Sequence, residues 1–567
     1  MNEEIVELQE DITASPLYSE DLAPVPKDKR TWSVWNLATL WVGMAVCIPT
    51  YLLASYMMKT GLSWLEALII IGVANLIITI PMVLNGHAGV KYGVPFPVIG
   101  RSSFGTKGIN IPSVIRGIVA CGWFGVNTWL GGLAIYSIFI AVTGGEASSV
   151  LSFGQFVCFG IFWLLNMFFI WKGTERIKWL EEYSAPILIL MGLLLIGWGW
   201  NQAGSFGLVI DQSAQLERPV AEIWDYGNDT IILNINPITD KDGIPKAKEY
   251  RLISSDTTDN NIWRKINKGS NAIPFLVADV NATYQIQLRN DIHTSSIAEV
   301  KISNRESGVG SKIWSYLIWL TAMVGFWATM SLSIADITRY SSSQSAQVKG
   351  QFIGLPGTMM LYSFVGIFVT CAAVINFDDV LIANDAPWDP ISLLAKFDSV
   401  WVVIISQIFM IIATLSTNIA ANVIAPANAF SNLFPKQISF RTGGIITGVI
   451  GIIICPWLLL NEIQGLLIDI SAILGPVLAI LVCDYFIIQK KEIQLADLYK
   501  EKGIYSFGES GINKAALISL IVGAFFAIGG KWIPAMASLY SVSWFSGFII
   551  TFIMYYALMK NRHDSTN

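Results

Sequence analysis

Stretches of about twenty residues with almost no charge recur along this chain, and nothing else constrains its fold as much. Residues 35–58, 65–84, 156–171, 187–200 and 515–528 are examples. At 1.5 Å of rise per residue, about 20 residues in a helix cross a hydrocarbon core of about 30 Å. Of the 567 residues, 53% are hydrophobic and 14% charged; soluble domains carry about 25% charged residues. A water-soluble globule of this size is excluded, and a net charge of −5 argues against nucleic acid as a partner. The expected class is an all-α polytopic membrane protein whose surroundings are the lipid bilayer.

Twelve spans are expected, at 33–58, 64–85, 111–141, 150–171, 180–200, 313–337, 354–376, 399–427, 442–461, 463–488, 514–532 and 536–559. If the N-terminus is inside, the short inner loops hold twenty Lys and Arg, from Lys27 to Arg562; the outer ones hold only Lys59, Lys396 and Lys531. Cytoplasmic loops carry the basic excess, so both termini are read as cytoplasmic and the location as the cell membrane. Glu3, Glu4, Glu7, Glu10 and Asp11 make the N-terminus unlike a cleavable signal. The six cysteines are scattered through apolar segments without paired spacing, which suits packing rather than a disulfide or zinc framework.

The organisation read from this is a tail (1–32), spans 1–5 (33–202), an insert (203–312), spans 6–12 (313–559) and a second tail (560–567). The insert has no spanning stretch and carries 12 Lys and Arg with 14 Asp and Glu. Alternating runs such as 284–288 and 300–302, with a turn signal at Lys241-Asp-Gly243, predict a small β-sandwich outside the membrane. It shows no catalytic cluster, and a passive or partner-contacting module is the expected role.

Within the spans, Gly and Pro interruptions mark places that line a cavity or pack closely. Span 1 has Gly43 and Pro49 near its middle, and span 6 has Gly325; a broken helix in each half points to a transporter site between repeats, while kinking and close packing are the plainer account. Span 8 carries a polar decade, Ala413 to Asn422, in which Thr414, Asn418 and Asn422 form one stripe and Ala413, Ser416, Thr417 and Ala420 another. Amides at membrane depth need a partner or a ligand. Hydrogen bonding between helices satisfies that need; so does a hydroxyl stripe holding a cation beside amides facing a polar substrate. On span 3, Trp123 and Asn127 share a face, an aromatic and an amide suited to stacking a flat heterocycle and reading its edge. Gly43, Trp123, Trp327 and Ser416 all fall about 10–17 residues from a membrane face, near the midplane. No carboxylate or Lys shares that level, which favours a hard cation such as Na⁺ over a proton relay.

The chain resembles the nucleobase–cation symporter family, which includes bacterial and fungal carriers for cytosine, uracil, purines, allantoin and hydantoins. The resemblance runs through Arg30-Thr-Trp32, Asn85-Gly-His-Ala-Gly-Val-Lys-Tyr-Gly-Val-Pro-Phe-Pro97, Arg101-Ser-Ser-Phe-Gly105 and Trp123-Phe-Gly125. It continues in Lys349-Gly-Gln-Phe-Ile-Gly-Leu-Pro-Gly357, Ser416-Thr-Asn418, Ala420-Ala-Asn422, Asp484-Tyr-Phe486, Asp497-Leu-Tyr499 and Gly503-Ile-Tyr505. It covers nearly all the chain except the tails and the insert. It implies twelve helices, ten of them in two inverted five-helix repeats (LeuT-like), working by alternating access. It also implies a substrate held between Trp123 and Trp327 and read by Asn127 and Asn422, with Asn418 nearby. Three positions depart from the family's hydantoin carrier: Asn127 is shorter than its Gln, Cys47 stands for a Gln, and Phe326 for a Gly. The implied sodium site is built from backbone oxygens of Gly43, Val46 and Ala413 and the hydroxyls of Ser416 and Thr417; some members lack one hydroxyl and use protons.

The expected function is therefore cation-coupled import of a nucleobase or related heterocycle or ureide, with a small heterocycle as the one partner and no obligate protein partner evident. A sensor whose 203–312 module binds the ligand is the alternative. Its weakness is the lack of a cytoplasmic output domain. A membrane enzyme has no metal or nucleophile constellation to support it.

Overall fold

The computed structural model describes residues 5–560 except 61, 146–150, 173, 218–220, 226–229, 236–237, 254–261, 268–271, 277–282, 302–308, 383–384, 386–388 and 460–462. Among the described residues, nine helices are long and apolar enough to cross a membrane, or up to eleven if each of two bent pairs is one span, and Phe440–Ile453 is a shorter apolar helix in the place of the ninth expected span. The first span is the pair α1 (Val34–Ala45) and α2 (Ile48–Lys59). After it come α3 (Trp64–Tyr92), α4 (Asn110–Thr143), α5 (Phe153–Lys172) and α6 (Thr174–Ala203). Beyond the insert and its helix α7 (Phe206–Glu217) run α8 (Val309–Ser333), α9 (Gln344–Asn376), the short α10 (Pro390–Ala395) and α11 (Val400–Asn422). The series ends with α12 (Ile424–Leu433), α13 (Phe440–Ile453), α14 (Ile463–Cys483), α15 (Lys514–Ile528) and α16 (Ser543–Met559). Leu164, Ile521 and Ile553 point outwards, part of the apolar skin that a bilayer covers.

Local chemistry sets the breaks. Ser33 starts α1 with a capping box, its hydroxyl accepting the Asn36 N–H while Asn36 Oδ1 accepts the Ser33 N–H. The helix stops at Ala45 because Pro49 has no N–H for the Ala45 carbonyl and its ring would collide with it. The chain restarts with Pro49 in the first turn of α2, bent by 59° from α1. In the same way α11 stops at Asn422, four residues before Pro426.

Span 6 differs from expectation. α8 runs unbroken through Gly325. The glycine serves close packing instead: an added Cβ would lie against Ser471 Oγ and 2.8 Å from the Leu467 carbonyl of α14. The helices of the two halves interleave, α1 packing on α9 and α11, α3 on α8 and α9, and α4 on α11.

The insert is partly helical, which the alternating pattern hid. α7 packs on α9 and also touches α2 and α3. Behind it, β1 (Ala221–Asp225), β2 (Thr230–Ile235) and β5 (Ala272–Leu276) form one antiparallel sheet. A second antiparallel sheet has the order β4–β3–β6–β7, from Arg264–Lys265, Glu249–Ile253, Thr283–Arg289 and Ala298–Lys301. Its small core of Tyr250, Ile286, Leu288 and Ala298 is completed by Leu381 and Ile382 from the α9–α10 connection. Ser296 donates from its hydroxyl to Asp385 (2.5 Å), and Lys246 donates to the carbonyls of Val374 and Phe377 at the end of α9. The module is thus seated on the bundle.

Two expectations follow. Gly325→Ala should lower stability by about 1–3 kcal/mol, because the α8–α14 contact has no room for a methyl group; thermal unfolding in detergent measures it. Burial pushes the Lys246 ammonium down to about 8, against the pull of Asp378, Asp379 and Asp240. Between pH 8 and about 10.5 the seated module binds fewer protons than a solvated lysine would. Seating should therefore strengthen as pH rises through that window and be weakest below it. Limited proteolysis of the module against pH reads this, and Lys246→Met should flatten the profile.

Candidate functional site

The break between α1 and α2 opens onto a small cavity of about 30 Å³ inside the bundle, roughly the space of one water molecule. Cys47 at the break, Trp123 and Asn127 on α4, Phe326 and Trp327 on α8, and Thr417 and Asn422 on α11 all line it. The structure thereby brings together, on one wall or another, every residue expected at the substrate site except Asn418. Pro49, Thr329, Met330 and Ala421 complete the lining. Thr329 and Met330 were findable, since they stand three and four residues beyond Phe326 on the same helix face.

The aromatic lining is a connected set. Phe326 meets Trp123 edge-on (5.7 Å between centroids, 89°) and Trp327 at 5.0 Å and 73°. Trp41, behind the wall, holds Trp327 from its other side (5.2 Å, 85°). Such edge-to-face pairs contribute about 0.5–1.5 kcal/mol each beyond burial, so the rings are held in place before any ligand arrives.

The polar lining is sparse and buried. Asn127 donates its Nδ2 to the Trp123 carbonyl (3.1 Å), and its Oδ1 has no protein partner. The Trp327 indole N–H is likewise buried without a partner. Buried polar atoms left open in this way are costly unless water or a ligand meets them. Asn418, expected beside Asn422 in the wall, lies behind it, because the face of α11 that carries it packs on α4 and α5. Its amide donates to Asn166 Oδ1 (3.1 Å) and Thr128 Oγ1 (3.1 Å).

Next to the cavity, α11 meets the end of α1. The Thr417 hydroxyl donates to the carbonyls of Gly43 (3.0 Å) and Met44 (3.2 Å), and the Ser416 hydroxyl lies 3.3 Å from the Gly43 carbonyl. Val46 and Ala413 pack together in a small cluster with Leu188 and Tyr362. All five residues expected to hold a cation therefore converge at the break. Ser184 on α6 adds a hydroxyl 3.2 Å from Ser416, a neighbour that no spacing in the sequence linked to this place. The group is neutral and made of oxygens, a donor set suited to a hard monovalent cation. Among the described residues no group of His, Cys, Asp and Glu could hold a metal ion.

Comparison with known proteins places the chain among permeases. Residues 24–229 and 262–547 match a family described as permeases for cytosine/purines, uracil, thiamine and allantoin. The chain is 31% identical to the allantoin permease of Bacillus subtilis, over 96% of this chain and 93% of that protein. It is 32% identical to the purine-uracil permease of Arabidopsis thaliana, over 94% of this chain and 74% of that one. Among solved structures it is similar to a nucleobase-cation-symport-1 family transporter in a closed conformation with bromovinylhydantoin bound. That likeness has a TM-score of 0.67 at 20% identity, covering 96% of this chain and 95% of the other, and it shows the fold.

Proposed function

This chain belongs to the family of permeases for cytosine/purines, uracil, thiamine and allantoin, and on that premise we propose that it imports a nucleobase or a related heterocycle or ureide together with a cation. It is a multi-pass membrane transporter and not an enzyme. Uracil, cytosine, allantoin and hydantoin define the substrate class. The proposed setting is the cytoplasmic membrane, with both termini inside.

The observation that carries the reading is the cavity between Trp123 and Trp327, which shares Thr417 with the break in α1. A flat ring would stack on Trp123 while Asn127, Asn422 and the in-plane N–H of Trp327 read its edge. Phe326 narrows the wall and Cys47 makes the α1 side less polar than an amide would. The carbonyls of Gly43, Val46 and Ala413, with the hydroxyls of Ser416 and Thr417, are the residues that would hold Na⁺. Because Thr417 belongs to both groups, occupancy of one site orders a wall of the other. Alternating access then needs the cavity to open to one side at a time as the helices around the break move.

Binding of labelled bases and ureides to the purified protein tests the reading. Trp123→Ala or Trp327→Ala should cost about 1–3 kcal/mol, roughly tenfold to over a hundredfold in affinity. Undiminished affinity in both variants would place the ligand elsewhere. Na⁺ should raise substrate affinity, and substrate should raise Na⁺ affinity by the same factor. Ser416→Ala or Thr417→Ala should weaken that effect more than it weakens sodium-free binding. Uptake that ignores Na⁺ but collapses with a proton uncoupler at constant voltage would make the carrier proton-coupled.

A further inference from the structure

Behind the α11 wall lies a chain of three amides. Asn166 on α5 is fully buried and donates its Nδ2 to the Phe162 carbonyl one turn back (2.8 Å), an atom that can only accept. Its Oδ1 faces the other way and receives Nδ2 of Asn418 (3.1 Å). That nitrogen also approaches the Phe124 carbonyl (3.3 Å) and Thr128 Oγ1 (3.1 Å), whose own proton goes to Phe124 (2.7 Å). With three acceptors around it, the Asn418 amide cannot turn over without setting oxygen against oxygen. Its Oδ1 in turn receives Nδ2 of Asn422 (3.2 Å).

Asn422 is the member that lines the cavity. Its nitrogen is held on Asn418, so the carbonyl oxygen is the end left for a ligand. On α4, Asn127 repeats the arrangement: its nitrogen is tied to Trp123 and its oxygen is open. Both lining amides thus have their nitrogen end tied back to protein, which leaves their oxygens as acceptors, and the Trp327 N–H is a buried donor without a protein partner.

We propose that the Asn166–Asn418–Asn422 relay sets the specificity of this carrier by fixing the polarity of Asn422, so that the cavity selects rings with a cyclic-ureide edge. Such an edge supplies N–H groups for the two amide oxygens and a carbonyl for the indole. A ring that presents a bare nitrogen or ether oxygen instead leaves two buried acceptors facing each other. The inference rests on the reading that a heterocycle is carried in this cavity. Asn166 and Asn418 touch no ligand; they are positioning residues.

Equilibrium binding to the purified full-length protein tests the relay with ligand pairs of one ring skeleton: uracil against cytosine, and hydantoin against oxazolidine-2,4-dione. Wild type should prefer the first member of each pair by about 10- to 100-fold, the range for an unpaired buried polar group. Asn418→Leu should bring the ratio to within about threefold, partly by improving the poorer ligand. Asn166→Leu should move it in the same direction by less. Asn418→Asp, protonated at this depth, can donate to Asn166 and accept from Asn422, and should restore the preference. A merely structural role would weaken both members alike and leave the ratio unchanged, which would overturn the relay. Equal binding of both members by wild type would also overturn it while leaving the cavity reading intact, and this needs no variant that must fold. If none of uracil, cytosine, allantoin and hydantoin binds wild type, the cavity reading itself fails and the relay falls with it.

Discussion

The structure depends on a helix that stops in the middle of the membrane. Between Ala45 and Ile48 the first span loses its hydrogen-bond ladder, and each backbone group left open in hydrocarbon costs several kcal/mol. Partners must therefore come from other helices, and they must come close. The hydroxyls of Ser416 and Thr417 supply part of the answer. Small residues supply the approach: a Cβ on Gly354 of α9 would sit 2.7 Å from Trp41 Cβ and 3.0 Å from the Ala38 backbone. The broken helix is thus held between α9 and α11, and the cavity is the space that remains.

The same economy of partners explains why the cavity wall has a fixed polarity. Asn127, Asn166 and Asn418 each spend an amide nitrogen on a carbonyl of their own or a neighbouring helix. Backbone carbonyls cannot donate, so each of these side chains has a single allowed orientation. If this wall is the recognition surface, it would need no ligand to organise it, and little ordering entropy would be lost on binding.

Much of this was legible from residue order. Hydropathy located the spans because the bilayer imposes one length on all of them, and Pro49 marked the first break because a proline cannot complete a helix through Ala45. Gly325 was ambiguous by nature: a glycine permits a kink or a close contact, and only the presence of Ser471 decides between them. Asn418 and Asn422 stand four apart and so share a stripe, yet the stripe is wide enough for one to face a cavity and the other a neighbouring helix. Asn166, one amide among Phe, Leu and Met, was the available hint that α11 has a polar partner there. The core of the external module was not readable from its own segment, since Leu381 and Ile382 reach it from a connection far along the chain.

The break in span 1 also orders events during synthesis. Each half is 12 residues long, about 18 Å of helix at 1.5 Å per residue, so neither half crosses the bilayer alone. The hydroxyl that caps Gly43 lies 374 residues further on. At about 5–20 residues per second the ribosome needs roughly 20–75 s to deliver it. Throughout that interval the open carbonyls must be met by water, by the insertion machinery or by a temporarily straighter helix. The first span to enter the membrane is therefore among the last to reach its final shape.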